Sequence, residues 1–303
     1  MKADALTETY KEPAELYCSP ANHKYAENDK TCFKHSELKL LAKEFNNRNE
    51  DKPKIKGKTK KELATQLLVA YKGICDKHQF CWIKQTLTNN EQITKLEKAF
   101  RPKKPAEWDR DQNTWLNTYD ILYVLKQYEE LYKDFLCLGV YPIDFNDKNS
   151  SGRCIGDMLC DFDIYKNILD IKKKQFCIVF NTDPSYKSGA HWIILSCNLN
   201  PKKKNFGVYF YDSVANDAPK EVVIFMKKIV DQVAASTIKN KEKFESKVND
   251  KQRQFSNYDC GMYTIVFQTQ FLKDIKFDEI KEGMQRDKYI NSLRNILYRP
   301  NIK

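Results

Sequence analysis

Two hydrophobic periods alternate along the chain. From Pro219 to about Ser236, apolar Val222, Val223, Phe225, Met226, Ile229, Val230 and Val233 recur at helical spacing, which predicts a helix with one face on a core. Short runs of β-branched and aromatic residues at 135–140, 176–181, 192–197 and 207–212 instead predict strands, and Lys202-Lys203-Lys204-Asn205 reads as the turn joining the last two. Residues 244–254 can supply one more strand. An amphipathic helix is expected from Tyr119 to Tyr132, and a final one from about Arg286 to Leu297. Residues 144–157, rich in Asn, Asp, Ser and Gly, read as a surface loop. Helices around a mostly antiparallel central sheet with hairpin-type connections make the class α+β.

The first hundred residues follow the helical period only. Residues 1–30 are polar, carry Pro13 and Pro20, and show no period, so a flexible arm is expected. Leu38, Leu41, Ala42 and Phe45 then mark one helix face, with Ser36 as the cap. A second helix, from about Lys60 to Tyr71, places Leu63, Leu67, Leu68 and Tyr71 on its apolar side, with Thr59 as its cap. A third runs from Glu91 to Phe100, before a linker around Pro102 and Pro105. The expected organisation is an arm at 1–30, a small helical basic domain at 31–105, and a larger domain at 106–303.

Composition narrows the setting. A chain of 303 residues with 41% hydrophobic content can build a core for each domain. It has no apolar run near 18 residues and no signal-peptide h-region at its start, so neither a membrane span nor secretion is expected. Ten cysteines without a secretory signal read as reduced thiols in a cytosol-like compartment, with disulfides not expected. Lys plus Arg exceed Asp plus Glu by 52 to 41, a net +11 that favours acidic partners. Six lysines fall between Lys52 and Lys61. Two helices joined by such a linker resemble the SAP-type nucleic-acid-binding motif. On that resemblance Lys54, Lys56, Lys58, Lys60 and Lys61 are candidates for DNA contact, against a reading of the region as a docking module for the larger domain or its substrate. Cys75, His78 and Cys81 have ligand-type spacing that Cys18 or Cys32 could complete as a zinc site. A second paired cluster is absent, so the expectation is buried cysteines beside Trp82, with no metal and no organic cofactor.

The candidate chemistry lies in the larger domain. Gln254-Phe255-Ser256-Asn257-Tyr258-Asp259-Cys260-Gly261 leads into the apolar run Thr264-Ile265-Val266-Phe267. A cysteine in the first turn of a buried helix meets backbone N–H groups and the positive end of the helix dipole, which favour the thiolate. Gly261, lacking a side chain, would leave room for a substrate backbone beside the sulfur. A thiolate nucleophile needs a base, and the base needs an orienting acceptor. Of four histidines, His191 stands where Ser188-Gly189-Ala190 runs into a strand. Asp212 ends the next strand, where it could lie beside His191. Gln254, six residues before the cysteine, offers an amide donor for an oxyanion together with the Cys260 N–H.

Gly-Ala-His-Trp, then Tyr-Asp-Ser, then Gln-x5-Cys-Gly, in this order, resembles the ubiquitin-like-protein-processing cysteine proteases, the clan that includes SUMO proteases and the adenovirus maturation protease. Trp115-Leu116-Asn117 is similar to the Trp-Leu-Asn-Asp segment that opens their catalytic domain. Within the clan, Asn181-Thr182-Asp183 and the added N-terminal region look most like the polyprotein proteases of African swine fever virus and other large DNA viruses. The resemblance covers about residues 108–300. It implies a Cys260–His191–Asp212 triad, a Gln254 oxyanion hole, and Trp115 and Trp192 roofing a tunnel that admits glycine near the scissile bond.

Cleavage after Gly in Gly-Gly-Xaa-like motifs would follow from that resemblance. Thr118 replaces the last Asp of the Trp-Leu-Asn-Asp segment, and this departure weighs against recognition of a folded ubiquitin-like partner. Gln252 and Gln254 flank Arg253, and only the spacing to Cys260 selects Gln254. The expected function is therefore a viral maturation protease acting on capsid or core polyprotein precursors in the host cytoplasm and virion. The competing readings are a deconjugase of a ubiquitin-like modifier in cytosol or nucleus, and a nucleic-acid-binding adaptor carrying an inactive protease scaffold.

Overall fold

The computed structural model describes residues 16–301. The chain divides into two compact units, one running up to Lys104 and taking in the residues from Asn295 on, the other spanning Pro105–Arg294. In the first, α1 (His23–Asp29), α2 (His35–Arg48), α3 (Lys60–Ala70), α4 (Gln79–Thr86) and α5 (Asn90–Glu97) enclose one core. Helix α2 buries Leu38, Leu41, Ala42 and Phe45, the face its spacing predicts. Helix α3 starts at the expected cap, where the Thr59 hydroxyl accepts the Glu62 N–H and the Glu62 carboxylate accepts the Thr59 N–H. Leu68 turns outward from this helix. Helix α2 begins one residue before the expected Ser36 cap, with the Glu37 carboxylate accepting the Lys34 N–H. Phe33 packs between Trp82 and Phe100 at the centre.

Several expectations for this unit change. Of the arm expected at 1–30, residues 1–15 lie outside the described residues, while 16–30 are structured: Cys18 pairs with Phe100 across an isolated bridge, and α1 follows. The segment from Asn295 groups with this unit instead of with 106–294. The Arg299 N–H donates to the Pro102 carbonyl, and its guanidinium lies over the Phe80 ring and donates to Glu97. Disulfides, which were not expected, link Cys18–Cys32 and Cys75–Cys81 here and Cys154–Cys160 in the second unit. Local turns bring these pairs to Cα separations of 5.0, 5.5 and 6.1 Å, within bridging range. The Cys75–Cys81 bridge also removes the zinc reading, because two of its three thiol or imidazole ligands are joined to each other. No metal-type cluster occurs among the described residues.

The second unit begins with α6 (Thr118–Leu131), capped by the Asn117 side chain, which accepts the Tyr119 and Asp120 N–H groups. A five-stranded sheet follows in sequence order: β1 (Phe135–Pro142), β2 (Gln175–Asn181), β3 (Trp192–Asn198), β4 (Gly207–Tyr211) and β5 (Glu245–Val248). The central pairings β2–β3 and β3–β4 are antiparallel, and the outer ones, β1–β2 and β4–β5, are parallel. Strands β2, β3 and β4 are buried throughout, which is why they read as continuous apolar runs with no alternation. Phe176, Ile178, Phe180, Ile193, Leu195 and Phe210 meet α7 (Lys220–Ala235) on one face. On the other face lies α8 (Cys260–Leu272), where Tyr211 stacks on Phe267 at 4.6 Å between centroids and Ser196 bonds Gln268. Strand β5 ends at Val248, well short of 254. Helices α9 (Phe277–Gly283) and α10 (Asp287–Ser292) follow, then a short α11 (Arg294–Leu297), so the helix expected over 286–297 is divided.

Among the described residues no helix is long and apolar enough to cross a membrane. Phe267 is fully buried between the sheet and Phe271 and Phe277. Phe267→Ala is expected to cost about 3–5 kcal/mol of unfolding free energy, read as a lowered midpoint in urea with an unchanged m-value.

Candidate active site

Antiparallel pairing of β3 and β4 places the residue preceding one and the residue following the other at the same sheet edge. Ile194 faces Tyr211 in the register, so Asp212 falls opposite Ile193, and His191, two residues before Ile193, comes out on the same face. His191 Nε2 lies 2.6 Å from Asp212 Oδ1. The Asp212 carboxylate is buried and also accepts the Val214 and Asn216 N–H groups at 3.0 and 3.3 Å. Asn249, just past β5, clamps the backbone of Asp212: its Oδ1 accepts the Asp212 N–H at 2.7 Å and its Nδ2 donates to the Asp212 carbonyl at 2.9 Å. The Asn249 N–H also donates to the Phe210 carbonyl, so the clamp holds the chain against the end of β4. Asn249 was not singled out from the sequence, where an isolated Asn-Asp pair gives no signal beyond a strand end.

Cys260 is the first residue of α8, with Asp259 as its N-cap, and all 13 residues of the helix are buried. Because Asp212 engages Nε2 of His191, Nδ1 is the ring nitrogen left for the sulfur. Burial pulls the His191 pKa down, but hydrogen bonds to Asp212 and Cys260, reinforced by their charges, outweigh it and push the value up from 6.5 to about 9. Gln254 lies against the same edge. Its Oε1 accepts the Ser213 hydroxyl at 2.6 Å, its backbone N–H donates to the Ser213 carbonyl, and its Nε2 donates to the Ser256 carbonyl at 2.7 Å. One of its two amide N–H bonds is therefore committed within the chain.

Trp192 is nearly buried, and its indole N–H donates to the Leu116 carbonyl at 2.8 Å, which ties the Trp115 segment to β3. Trp115, Leu116, Trp192, Asn181, Asp183 and Gly189 line a cleft of about 530 Å³. Asn181 braces one wall, its Oδ1 accepting the N–H groups of Asp183 and Ala190 at both ends of a loop. Gly261 plays a different part from the one expected. A Cβ there would meet Leu116 Cβ at 3.0 Å and Ile121 Cδ1 at 3.2 Å, so the missing side chain lets Leu116 and the first turn of α6 pack closely on α8, and these two side chains take up the space it leaves. In the first unit, Lys54 caps the Asn46 and Asn49 carbonyls, and Lys60 pairs with Asp29 at 2.8 Å over the Tyr25 ring. Lys56, Lys58 and Lys61 are exposed. The five lysines are thus not one uniform free patch.

Comparison with known proteins adds the following. A candidate thiol protease of Acanthamoeba polyphaga mimivirus is 25% identical over 303 residues, covering 93% of each chain. The crystal structure of the African swine fever virus protease matches 95% of this chain and 97% of its own at a TM-score of 0.63 and 16% identity. The C-terminal Ulp1 protease domain, solved with the yeast SUMO orthologue Smt3, overlaps 61% of this chain and 75% of its own at a TM-score of 0.41 and 18% identity. A family model described as YopJ serine/threonine acetyltransferase matches residues 159–301. The chain is therefore similar along nearly its whole length to a candidate thiol protease and shares the fold of a viral protease. Both of these relatives come from large DNA viruses.

The pair His191–Asp212 makes stability depend on pH. Its histidine pKa is raised on folding, so its contribution is fully present below 6.5, the unfolded value, and is lost as pH rises through about 9. The thermal midpoint is expected to fall between pH 6.5 and 9, and to fall less in Asp212→Asn, which removes the carboxylate charge. Gly261→Ala is expected to cost about 1–3 kcal/mol through overpacking. Leu116→Ala in the same chain should relieve part of that cost, an outcome that a substrate-clearance role for Gly261 does not produce.

Proposed function

We propose that the protein is a cysteine endopeptidase that cuts polyprotein precursors after glycine in Gly-Gly-Xaa-like motifs during virion maturation. The observation that carries this reading is the 2.6 Å His191–Asp212 contact set against a cysteine at the N-terminus of a buried helix. Cys260 attacks the peptide carbonyl as a thiolate, forming a C–S bond and an oxyanion. The imidazolium of His191 gives its proton to the departing amine as the C–N bond breaks. His191 then takes a proton from water, the resulting hydroxide attacks the thioester, and the carboxylate product leaves with the thiolate restored. Asp212 orients the ring throughout and stabilises its charge whenever it is protonated. The Cys260 N–H and the remaining Gln254 N–H stabilise the oxyanion, each worth roughly 3 kcal/mol. Trp115 and Trp192 flank the cleft in which a narrow, glycine-rich segment would lie.

The length of similarity to viral proteases supports polyprotein cleavage over deconjugation, as does Thr118 at the cleft in place of an acid. A second reading, acyl transfer from an acetyl thioester to a hydroxyl, is favoured by the family model alone; it shares the acyl-Cys260 stage and differs in donor and acceptor. DNA contact through Lys56, Lys58 and Lys61 is a separate proposal for the first unit, and it calls for salt-sensitive binding.

Peptides containing Gly-Gly-Xaa or Gly-Xaa-Gly, a ubiquitin-like C-terminal tail, and an acetyl thioester with a serine peptide separate these readings. Gly-Gly-Xaa cleavage lost in Cys260→Ala is expected; acetylation without cleavage would sink the protease mechanism. Gln254→Ala should lower kcat about 10²–10³-fold. If His191 acts as proton donor, kcat/KM falls above about pH 9, and Asp212→Asn moves that alkaline limb to lower pH because the Asp212 hydrogen bond and charge no longer raise the histidine pKa, while those of Cys260 remain. A limb that stays in place in Asp212→Asn would refute the assignment of Asp212.

A further inference from the structure

The backbone just ahead of Cys260 is gripped by a side chain with no place in the sequence motif. Arg294 and Asp259 form an ion pair at 3.0 Å with both side chains fully buried. The Nη2 group of Arg294 also donates to the Tyr258 carbonyl at 3.0 Å, and Nη1 donates to the Thr114 carbonyl at 2.9 Å. The guanidinium carbon sits 4.6 Å from the Trp108 ring centroid. The Asp259 carboxylate is satisfied further by Ser256 Oγ at 2.9 Å and Asn291 Nδ2 at 3.0 Å.

The positions of these partners in the chain matter more than their number. Asp259 immediately precedes Cys260, at the N-cap position of α8; Thr114 immediately precedes Trp115, which lines the cleft. A single planar cation therefore fixes the chain on the nucleophile side and on the cleft-wall side together, a task suited to the rigid fork of arginine and not to the point charge of lysine. Charge gives a second reason. An unpaired carboxylate one residue from the sulfur would oppose negative charge there, and burial would leave that repulsion poorly screened. Asp259 nevertheless serves the fold, through its bonds to Ser256 and Asn291, and Arg294 cancels its charge.

We propose that Arg294 is a positioning residue of the proteolytic site: it sets the nucleophile loop against the Trp115 segment and neutralises Asp259 beside Cys260. The proposal rests on Cys260 being the nucleophile.

Four variants of the full chain test it: Arg294→Met, Arg294→Lys, Arg294→Met with Asp259→Asn, and Cys260→Ala. Urea unfolding first establishes that each is folded under assay conditions. Then kcat and KM are measured on the preferred peptide, and iodoacetamide alkylation of Cys260 is followed by peptide mapping. Arg294→Met should lower kcat about ten- to a hundredfold, raise KM, and slow alkylation. Arg294→Lys and the double variant should recover the alkylation rate, since each removes the uncompensated negative charge, while KM stays raised because neither restores the fork on the Thr114 carbonyl. A merely structural role predicts no such split between alkylation and KM.

Folded Arg294→Met with wild-type kcat, KM and alkylation would overturn the proposal. If Arg294→Met does not fold, Arg294→Lys decides alone, and an unchanged KM there overturns it. Activity surviving in Cys260→Ala would instead overturn the assignment of the nucleophile, so the two failures are distinguishable.

Discussion

Helix α8 is buried on every side, and the second unit is built to enclose it. A helix of this kind cannot lie on a surface. The sheet covers one flank, where Tyr211 stacks on Phe267, and α9 covers another through Phe277. Helix α6 and the residues just before it close a third at Gly261, where Leu116 and Ile121 leave no room for a Cβ. Once the helix is enclosed, its first residue is fixed in space by the whole domain. The positive end of its dipole is fixed with it, and Cys260 sits there.

Enclosure makes demands on the polar groups around that end. Buried donors and acceptors must be paired, and the loop from Arg253 to Asp259 is paired almost residue by residue. Asp287 accepts the Phe255 and Ser256 N–H groups and the Tyr263 hydroxyl, Gln254 bonds Ser213 and Ser256, and Arg294 takes Tyr258 and Asp259. The same loop thereby becomes rigid, and rigidity is what an oxyanion site requires. At the facing sheet edge, Asn249 holds the backbone of Asp212 while the carboxylate holds His191. The networks supporting nucleophile and base are joined at Ser213, which follows Asp212 and bonds Arg253 and Gln254 of the nucleophile loop.

The first unit solves a smaller problem by other means. Five short helices give a core centred on Phe33, Trp82 and Phe100, and two disulfides tie its connecting segments. Lysines of its linker are divided between structural work, at Lys54 and Lys60, and exposure, at Lys56, Lys58 and Lys61. A basic composition alone does not separate the two groups.

Much of the fold and the core of the candidate site could be read from the sequence, because both rest on short-range patterns. Helical spacing located α2, α3, α6 and α7, apolar runs located β1 to β4, and chemistry plus order picked out His191, Asp212, Gln254 and Cys260. Pairs and clamps between distant segments could not be read in this way. The partner of Asp259 lies 35 residues on, that of the Thr114 carbonyl 180 residues on, and Leu116 and Ile121, the neighbours that require glycine at 261, lie far upstream in the chain. Disulfides escaped notice because composition speaks to compartment, whereas bridging depends on Cα separations that only the folded turns set. Local periodicity is written into consecutive residues; which buried charge meets which, and which backbone fits against which, depends on packing that exists only once the chain is folded.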